Sequence, residues 1–333
     1  MRSCFFYPVA IVVYAVLVLA ASGASAVNID WVNVGGQGNS CDVQAQGCFG
    51  GVSDAYRIGK YEVTNDQYTE FLNAVAGADP NSLYDTNMGT GSGGIARTGA
   101  SGNFSYSAAP GRENRAVNFI SFYDALRFAN WLHNGQPGGA QGNTTTEDGA
   151  YTITTLGLTL NSISRNPGAN VFLTSEDEWY KAAYYDQASS SFYDYANHDG
   201  AQMVCGLPGP GPSKANCGNV VGDVTAVGAY MEAMSPNGTF DQGGNLLEWN
   251  ESQSGSSKRV LRSGSFTAGS SVTLSAASRI AGNPGFPGQE FVGFRVATVI
   301  PEPSTGLLVG GGLLGLAGQR RHSARKKTRK IRA

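Results

Sequence analysis

Cysteine, histidine and charge are scarce in this 333-residue sequence, which has five cysteines, three histidines and 14% charged residues. No two cysteines have Cys-x-x-Cys spacing, which argues against the usual redox and zinc motifs. Neither Ser263 nor Ser265 has a convincing histidine partner in the sequence, so no serine-hydrolase arrangement is indicated. Apolar and aromatic residues nevertheless recur throughout, and the chain is therefore not disordered.

The three histidines do not form a metal-binding pattern. His133 is predicted to end a helix, His198 lies among Tyr, Asp and Asn residues, and His322 belongs to a basic C-terminal tail. Residues in such places are more typical of capping or surface histidines than of metal ligands. No histidine is therefore predicted to be catalytic or to hold a metal.

The N-terminus has the pattern of a secretory signal peptide. Arg2 is followed by an apolar stretch over 5–20 and by the small residues Ala24-Ser25-Ala26. This order of charge, apolar run and Ala-x-Ala step predicts a signal peptide over 1–26, cleaved after Ala26. An uncleaved membrane anchor is the alternative.

The C-terminal region, 300–333, is organised in a different way. Pro301-Glu-Pro-Ser304 precedes an apolar run over 305–318, and eight basic residues follow that run. As a helix the run would span about 21 Å, short of the roughly 30 Å hydrocarbon core, which predicts only transient membrane association. The region resembles the PEP-CTERM sorting signal of Gram-negative bacteria. The resemblance implies recognition by an exosortase-type machinery and export to the cell surface or extracellular matrix. A simple tail anchor is the alternative.

The body between these ends is strongly acidic, because nine of the 23 Lys and Arg residues lie in the two ends. Such a body should repel nucleic acid, so no nucleic-acid partner is expected. Once Cys4 leaves with the signal peptide, Cys41, Cys48, Cys205 and Cys217 remain. An even number in an exported chain predicts two structural disulfides. Local spacing favours the pairs 41–48 and 205–217, although three connectivities are open.

Three helices are predicted from their N-terminal caps. Thr64 with Gln67 begins a helix that runs through Ala76, and Ser121 and Ser175 begin two more. Short strands are predicted over 56–63, 150–155, 171–173, 260–263 and 291–297. The 46 glycines favour long loops between these elements. Together they indicate one loop-rich α+β domain without internal repeats.

Several sequence blocks then identify a family resemblance. The blocks 56–65, 119–132, 171–180, 241–249, 260–266 and 292–295 occur in this order. Together they resemble the formylglycine-generating enzyme (sulfatase-modifying factor) domain, over about 27–299. The resemblance implies a C-type-lectin-like fold that is low in regular secondary structure and stabilised by calcium.

The resemblance also implies calcium ligands. In one loop these are the side chains of Asp241 and Glu248 and the backbone oxygens of Gly244 and Leu246. Two carboxylates around a glycine-bent loop suit a hard cation, although an ordinary turn with exposed acids has the same sequence pattern. A second, poorly aligned site would use Asn216 and Asp223.

The family's oxidase chemistry uses a cysteine pair that binds copper(I), and this sequence has no cysteine between Arg262 and Arg279. Soft copper(I) selects thiolates, and hydroxyl side chains do not replace them. Copper is therefore not expected, and no catalytic residue is assigned.

Two functions remain open, with binding preferred to catalysis. The first is a calcium-stabilised binding protein for an extracellular polysaccharide or peptide, with the aromatic residues between Tyr180 and Tyr195 suited to stacking against a ligand. The second is an oxidoreductase of the formylglycine-generating type, or another activity in the same pocket. A structural accessory without ligand chemistry of its own is a third and weaker interpretation.

Overall fold

The structure is a computed structural model that describes residues 26–286 and 288–300. The predicted signal peptide, apart from Ala26, and the predicted membrane-associating run 305–318 lie outside this part. The helices are α1 (Asn65–Val75), α2 (Phe122–His133), α3 (Thr155–Leu160) and α4 (Glu176–Tyr184). Short 3-10 helices occupy Thr86–Gly89 and Ser271–Leu274.

The strands are short and spread over the whole described chain. They are β1 (Trp31–Val34), β2 (Asp42–Gln44), β3 (Gly47–Phe49), β4 (Tyr56–Gly59), β5 (Ile95–Thr98), β6 (Ser105–Ala108), β7 (Val171–Leu173), β8 (Tyr185–Asp186), β9 (Ser191–Phe192), β10 (Val204–Cys205), β11 (Lys214–Ala215), β12 (Leu247–Ser254), β13 (Lys258–Arg262), β14 (Ile280–Gly282), β15 (Val292–Gly293) and β16 (Val296–Val299). Few helices among many short strands confirm the predicted α+β class.

Two four-stranded sheets form the framework. The first has the order β1-β4-β16-β7 and is antiparallel throughout, so early and late parts of the chain meet in it. The second has the order β14-β13-β12-β15, with β12 and β15 parallel. Phe294 and Arg295 lie between β15 and β16 and carry the chain from the second sheet to the first.

Helices α1 and α2 supply much of the core beside the first sheet. Tyr68 and Phe71 of α1 contact Phe128 of α2, and Phe128 also meets Phe294 edge to face at 5.3 Å between ring centroids. These side chains are fully buried. Such edge-to-face pairs favour one fixed arrangement of the rings. The helices are thereby fixed against the linker between β15 and β16.

The capping predictions are confirmed. The hydroxyls of Thr64, Ser121 and Ser175 each accept a hydrogen bond from the backbone N–H three residues on. The side chain of that third residue in turn accepts a hydrogen bond from the backbone N–H of the capping residue. Each cap satisfies N–H groups that the first helical turn leaves unpaired. These three helices therefore begin where local chemistry predicts.

The predicted strand over 150–155 is wrong. Tyr151 forms only an isolated bridge with Arg165, and the Thr154 hydroxyl caps α3 at the end of this segment. Ala150 and Tyr151 are buried by the core rather than by a neighbouring strand. The apolar residues of this segment are thus buried in the core, and Thr154 caps α3 instead of continuing a strand.

Two other strand predictions require shorter or divided elements. The strand predicted over 56–63 ends at Gly59, since the side chain of Glu62 turns inward to Asn245. The strand predicted over 291–297 divides into β15 and β16, because Arg295 turns its side chain to Glu248. Buried polar contacts interrupt both strands.

Both predicted disulfides are present. Cys41–Cys48 joins β2 to β3, and Cys205–Cys217 links β10 to the residues that follow β11. The pairs are the two local ones, separated by 7 and 12 residues. Each of them crosslinks a short local loop outside the two four-stranded sheets.

Replacing both Cys205 and Cys217 with serine is expected to lower the free energy of unfolding by about 2–3 kcal/mol. The bond limits the conformational freedom of a short loop in the unfolded chain. Urea unfolding of the purified protein measures the change, with the Cys41→Ser/Cys48→Ser double variant as the matched comparison. An unchanged midpoint in both double variants would contradict a stabilising role.

Within residues 26–286 and 288–300, no helix combines the length and apolar character needed to cross a bilayer.

Candidate functional site

A buried ion pair lies at the centre of the predicted calcium region. Both Glu248 oxygens accept from the Arg295 guanidinium at 2.6 Å, and Trp179 Nε1 donates to Glu248 Oε2 at 2.7 Å. Arg295 also donates to the backbone oxygens of Phe240 and Gly59. The Glu248 and Arg295 side chains are fully buried. A buried pair persists only when its remaining hydrogen-bonding groups are satisfied, and these contacts satisfy most of them.

The loop before Glu248 is sharply bent. Asp241, Gly244 and Asn245 all have positive φ, with values of 63°, 125° and 60°. A Cβ at Gly244 would lie 2.7 Å from the backbone oxygen of Asn216, so this close approach requires glycine. The Gly244 carbonyl accepts from the Ser263 hydroxyl at 3.1 Å. The loop therefore has an irregular backbone, and its Gly244 carbonyl is turned to Ser263.

Two further acids lie beside the ion pair. Burial raises the pKa of Asp241 to about 6, although Gly228 N–H donates to its Oδ2 at 2.6 Å. Burial, followed by the Asp241 and Glu248 carboxylates, raises the pKa of Glu62 well above its usual range. Asn245 Nδ2 donates to both Glu62 oxygens, at 2.9 and 3.2 Å. Three acids thus lie beside one arginine, and their mutual repulsion adds to burial in raising the pKa of Glu62.

Sequence reasoning did not assign Glu62, Asn245 or Arg295 to this site. All three lie within blocks that carry the family resemblance, which was the signal that could have indicated them. Separate blocks of the sequence therefore converge on one buried polar cluster.

The calcium ligands predicted in this loop are available only in part. Asp241 uses Oδ2 to accept from the Gly228 N–H, and its Oδ1 has no hydrogen-bond donor among the described residues. Glu248 is different, because Arg295 and Trp179 already use both of its oxygens. Across the described ranges, no three His, Cys, Asp or Glu side chains form a group that could hold a metal ion. Calcium at this loop stays a prediction that depends on Asp241.

The second predicted calcium site has a different arrangement. Asp223 Oδ2 accepts from Arg112 at 2.5 Å and from Arg115 at 2.6 Å. Asn216 Nδ2 donates to the backbone oxygen of Asp223 at 2.9 Å. The Asp223 carboxylate is therefore occupied by two guanidinium groups, and this donor set does not fit a calcium ion.

The segment between Arg262 and Arg279 offers hydroxyls and no thiols. Ser263 contacts the Gly244 backbone, and the Ser265 and Thr267 hydroxyls lie 2.9 Å apart. Both arginines hold Glu176 of α4, with Arg262 Nε at 2.8 Å and Arg279 Nη2 at 3.0 Å. Both ends of the segment are thus anchored to the same helix. All four cysteines of the described residues are in disulfides, so this part of the chain has no thiolate donor for copper(I).

The histidines are not brought together. His133 Nδ1 accepts from the Asn170 backbone N–H at 3.0 Å, and His198 is exposed. His322 lies outside the described residues. His133 therefore holds the Asn170 backbone and does not cap its own helix, whereas His198 lies at the surface.

The aromatic residues proposed to stack against a ligand are largely internal. Tyr180 and Tyr184 are buried and pack with Phe49, with Trp179 and with each other, and the buried Tyr185 packs against Phe192. This part of the sequence interpretation was wrong, because α4 turns these rings toward a small core. Of the aromatic residues between Tyr180 and Tyr195, only Phe192, Tyr193 and Tyr195 are partly exposed.

A different part of the surface contains an aromatic cleft of about 420 Å³. We call it the helix-2 cleft, since the first turns of α2 form its floor. The residues around it are mostly aromatic or polar: Asn81, Ser82, Tyr84, Asp85, Thr86, Phe119, Ser121, Tyr123, Asp124, Arg127, Gly285, Phe286 and Gly288. Sequence reasoning assigned no site role to Asp124.

Burial raises the pKa of Asp124 to about 7, against the opposing effects of hydrogen bonds from Ser121 and the charge of Arg127. Arg127 itself pairs with Glu147, at 2.7 Å between Nε and Oε1. The floor of the helix-2 cleft therefore combines a carboxyl group that is partly neutral at pH 7 with an arginine whose charge is balanced.

Comparison with known families gives two matches. Residues 51–300 match the family described as "Sulfatase-modifying factor enzyme 1-like domain". Residues 299–321 match the PEP-CTERM protein-sorting motif. That motif implies recognition by exosortase and indicates export in a Gram-negative bacterium. A comparison with curated proteins finds no match.

Solved structures support the same fold. The crystal structure of CarF is 21% identical with a TM-score of 0.52, and the match covers 82% of this chain and 99% of that chain. Treponema denticola variable protein 1 is 18% identical with a TM-score of 0.51, covering 83% of this chain and 97% of that chain. At these identities the likeness shows the fold alone. The predicted C-type-lectin-like fold of formylglycine-generating enzymes is confirmed.

Proposed function

Because the chain belongs to the sulfatase-modifying factor enzyme 1-like family, we propose that it is an exported member that binds a ligand and does not oxidise cysteine. The observation that carries this proposal is that the described residues include no free cysteine thiol. The four described cysteines form two disulfides, and the segment between Arg262 and Arg279 has none.

The chemistry supports this choice over the oxidase alternative. Copper(I) is a soft ion that binds thiolates, and serine or threonine hydroxyls are hard donors that stay protonated near neutral pH. In this chain Ser265 and Thr267 also hydrogen-bond to each other. We therefore propose that the fold presents a ligand-binding surface outside the cell, at the cell surface or in the extracellular matrix. The ligand we expect there is a polysaccharide or a peptide.

A peptide assay tests the proposal. The purified protein is incubated with a peptide containing Cys-x-Pro-x-Arg, copper, oxygen and a reductant, and the peptide thiol is followed by mass spectrometry. We expect no conversion of the thiol to an aldehyde. A family member that retains its cysteine pair is the positive control. Aldehyde formation above the level without protein would overturn the proposal.

We also propose that calcium binds at Asp241 and the bent loop that follows it. Extracellular modules hold calcium with Kd of about 0.1–1 mM, so 10 mM calcium should stabilise the folded protein by about 1.5–3 kcal/mol. Thermal unfolding with calcium and with a chelator measures this difference. Asp241→Asn is expected to abolish it, while Asp223→Asn, at the carboxylate held by two arginines, should leave it unchanged. A chelator-independent midpoint in the unmodified protein would reject the proposal.

A further inference from the structure

We propose that the helix-2 cleft binds a neutral sugar ring, a ligand class that deepens and rests on the binding function proposed above. The cleft differs from the buried cluster around Glu248 and from the segment between Arg262 and Arg279, and none of their residues surrounds it.

The floor of the cleft offers one acceptor and one donor without protein partners. Asp124 Oδ2 accepts from the Ser121 N–H at 3.0 Å and hydroxyl at 2.5 Å, while Oδ1 accepts from no described residue. Arg127 uses Nε and Nη2 for Glu147, at 2.7 and 3.0 Å, and its Nη1 has no acceptor in the described part. Asp124 is 7% exposed and Arg127 is 5% exposed.

These two atoms are accessible from the cleft. Neither Asp124 Oδ1 nor Arg127 Nη1 is among the unpaired polar atoms that are sealed from solvent in the described structure. Residues three apart in a helix lie on the same face, and both Asp124 and Arg127 line the cleft. A hydroxyl group both donates and accepts, and two adjacent hydroxyls on a sugar ring can satisfy both atoms at once.

Aromatic side chains form the walls above this floor. Tyr123 and Phe119 are half-buried, and Phe286 is 58% exposed. The flat C–H face of a pyranose ring packs against such rings, as apolar groups generally do. Sites for small ligands typically combine apolar walls with a few converging polar groups, in volumes of about 300–1,000 Å³. The cleft, at about 420 Å³, has this composition and this size.

The wall at Phe119 is held in an unusual conformation. Phe119 has φ of 60°, which is rare for a bulky side chain. Its N–H donates to the Gln289 backbone oxygen at 3.1 Å, and a Cβ at Gly288 would lie 1.7 Å from the Phe119 carbonyl carbon. The glycine therefore allows the two backbones to touch. Strain of this kind persists where surrounding contacts enforce it, and it is frequent at ligand sites.

Charge selects a neutral ligand over an anionic one. Glu147 balances Arg127, while Asp85 and the ionised fraction of Asp124 add negative charge around the same cavity. An anionic ligand would meet this excess without a free cation to compensate for it. A cationic ligand would leave Arg127 Nη1 without an acceptor. A neutral polyhydroxyl compound avoids both costs.

Saturation-transfer NMR and calorimetry on the purified mature chain test the inference, with cellobiose, maltose, lactose and N,N′-diacetylchitobiose as probes. We expect at least one of them to bind with Kd of about 0.1–10 mM, as expected for a single small site. Phe286→Ala should weaken this binding about 3- to 10-fold through loss of a ring contact. Asp124→Asn, which retains the capping oxygen, should weaken it to a similar degree. Leu207→Ala, an exposed apolar residue outside the cleft, is the matched control and should leave Kd unchanged.

Three results would overturn the inference. The first is that no neutral disaccharide binds, and the second is that alginate or an unrelated peptide binds while the sugars do not. The third is sugar binding that neither Phe286→Ala nor Asp124→Asn affects. Each of these outcomes is distinguishable from failure of the proposed function, which aldehyde formation in the peptide assay would show.

Discussion

Replacing Arg295 with methionine is expected to lower the free energy of unfolding by about 3–5 kcal/mol, a large part of a typical domain's stability. Methionine has a similar length and no charge. The substitution leaves Glu248 fully buried without its guanidinium partner, next to Asp241 and Glu62. Desolvation of an unpaired carboxylate and repulsion among the three acids act in the same direction.

Urea unfolding measures this effect, and Arg112→Met is the matched control. Arg112 also pairs with a carboxylate, but its side chain is 21% exposed and Arg115 still holds Asp223 after the change. We expect the control to cost no more than about 1 kcal/mol. Glu248→Leu in the Arg295→Met background should recover part of the loss, because both buried charges are then removed. A cost for Arg295→Met no greater than that of Arg112→Met would show that the buried pair does not stabilise the fold.

The helix starts and the disulfides could be predicted because the interactions that set them are local. A hydroxyl and a side chain three residues later suffice to begin α1, α2 and α4. Cysteines 7 and 12 residues apart can meet without help from the rest of the fold. The family resemblance predicted the architecture. Hydrophobic periodicity could not have predicted it, because the strands are only two to eight residues long.

The candidate sites were harder to predict because their contacts are long-range. Arg295 reaches the Gly59 backbone across 236 residues of chain, and Glu62 meets Asn245 across 183. Neither partner is visible in a local pattern. The family resemblance implied that Glu248 binds calcium, and the arginine that pairs with it lies in another block of the sequence. The helix-2 cleft combines α2 with residues near 82 and 286, so no sequence window contained it.

Replacing Asp124 with asparagine is expected to stabilise the protein at pH 8 by up to about 4 kcal/mol, and by much less near pH 4. The pKa of Asp124 is about 7 in the folded state, against 3.8 as its usual value. Between these values the folded state holds a proton that the unfolded state has released, so the stability falls as pH rises. The slope is about 1.4 kcal/mol per pH unit and ends above pH 7, where Asp124 is ionised in both states. Asparagine has no proton to lose and keeps an oxygen for Ser121.

Urea unfolding of both proteins at each pH from 4 to 8 provides the test, read as the difference between them. The difference cancels contributions from other buried acids such as Asp241, whose raised pKa acts in the same direction. Asp66→Asn, at an exposed acid in the first turn of α1, controls for removing a carboxylate near a helix N-terminus. A constant difference across the range would mean that Asp124 titrates alike in the folded and unfolded states. The carboxyl group in the floor of the helix-2 cleft would then be solvated, in contradiction to its burial under Ser121 and the first turn of α2.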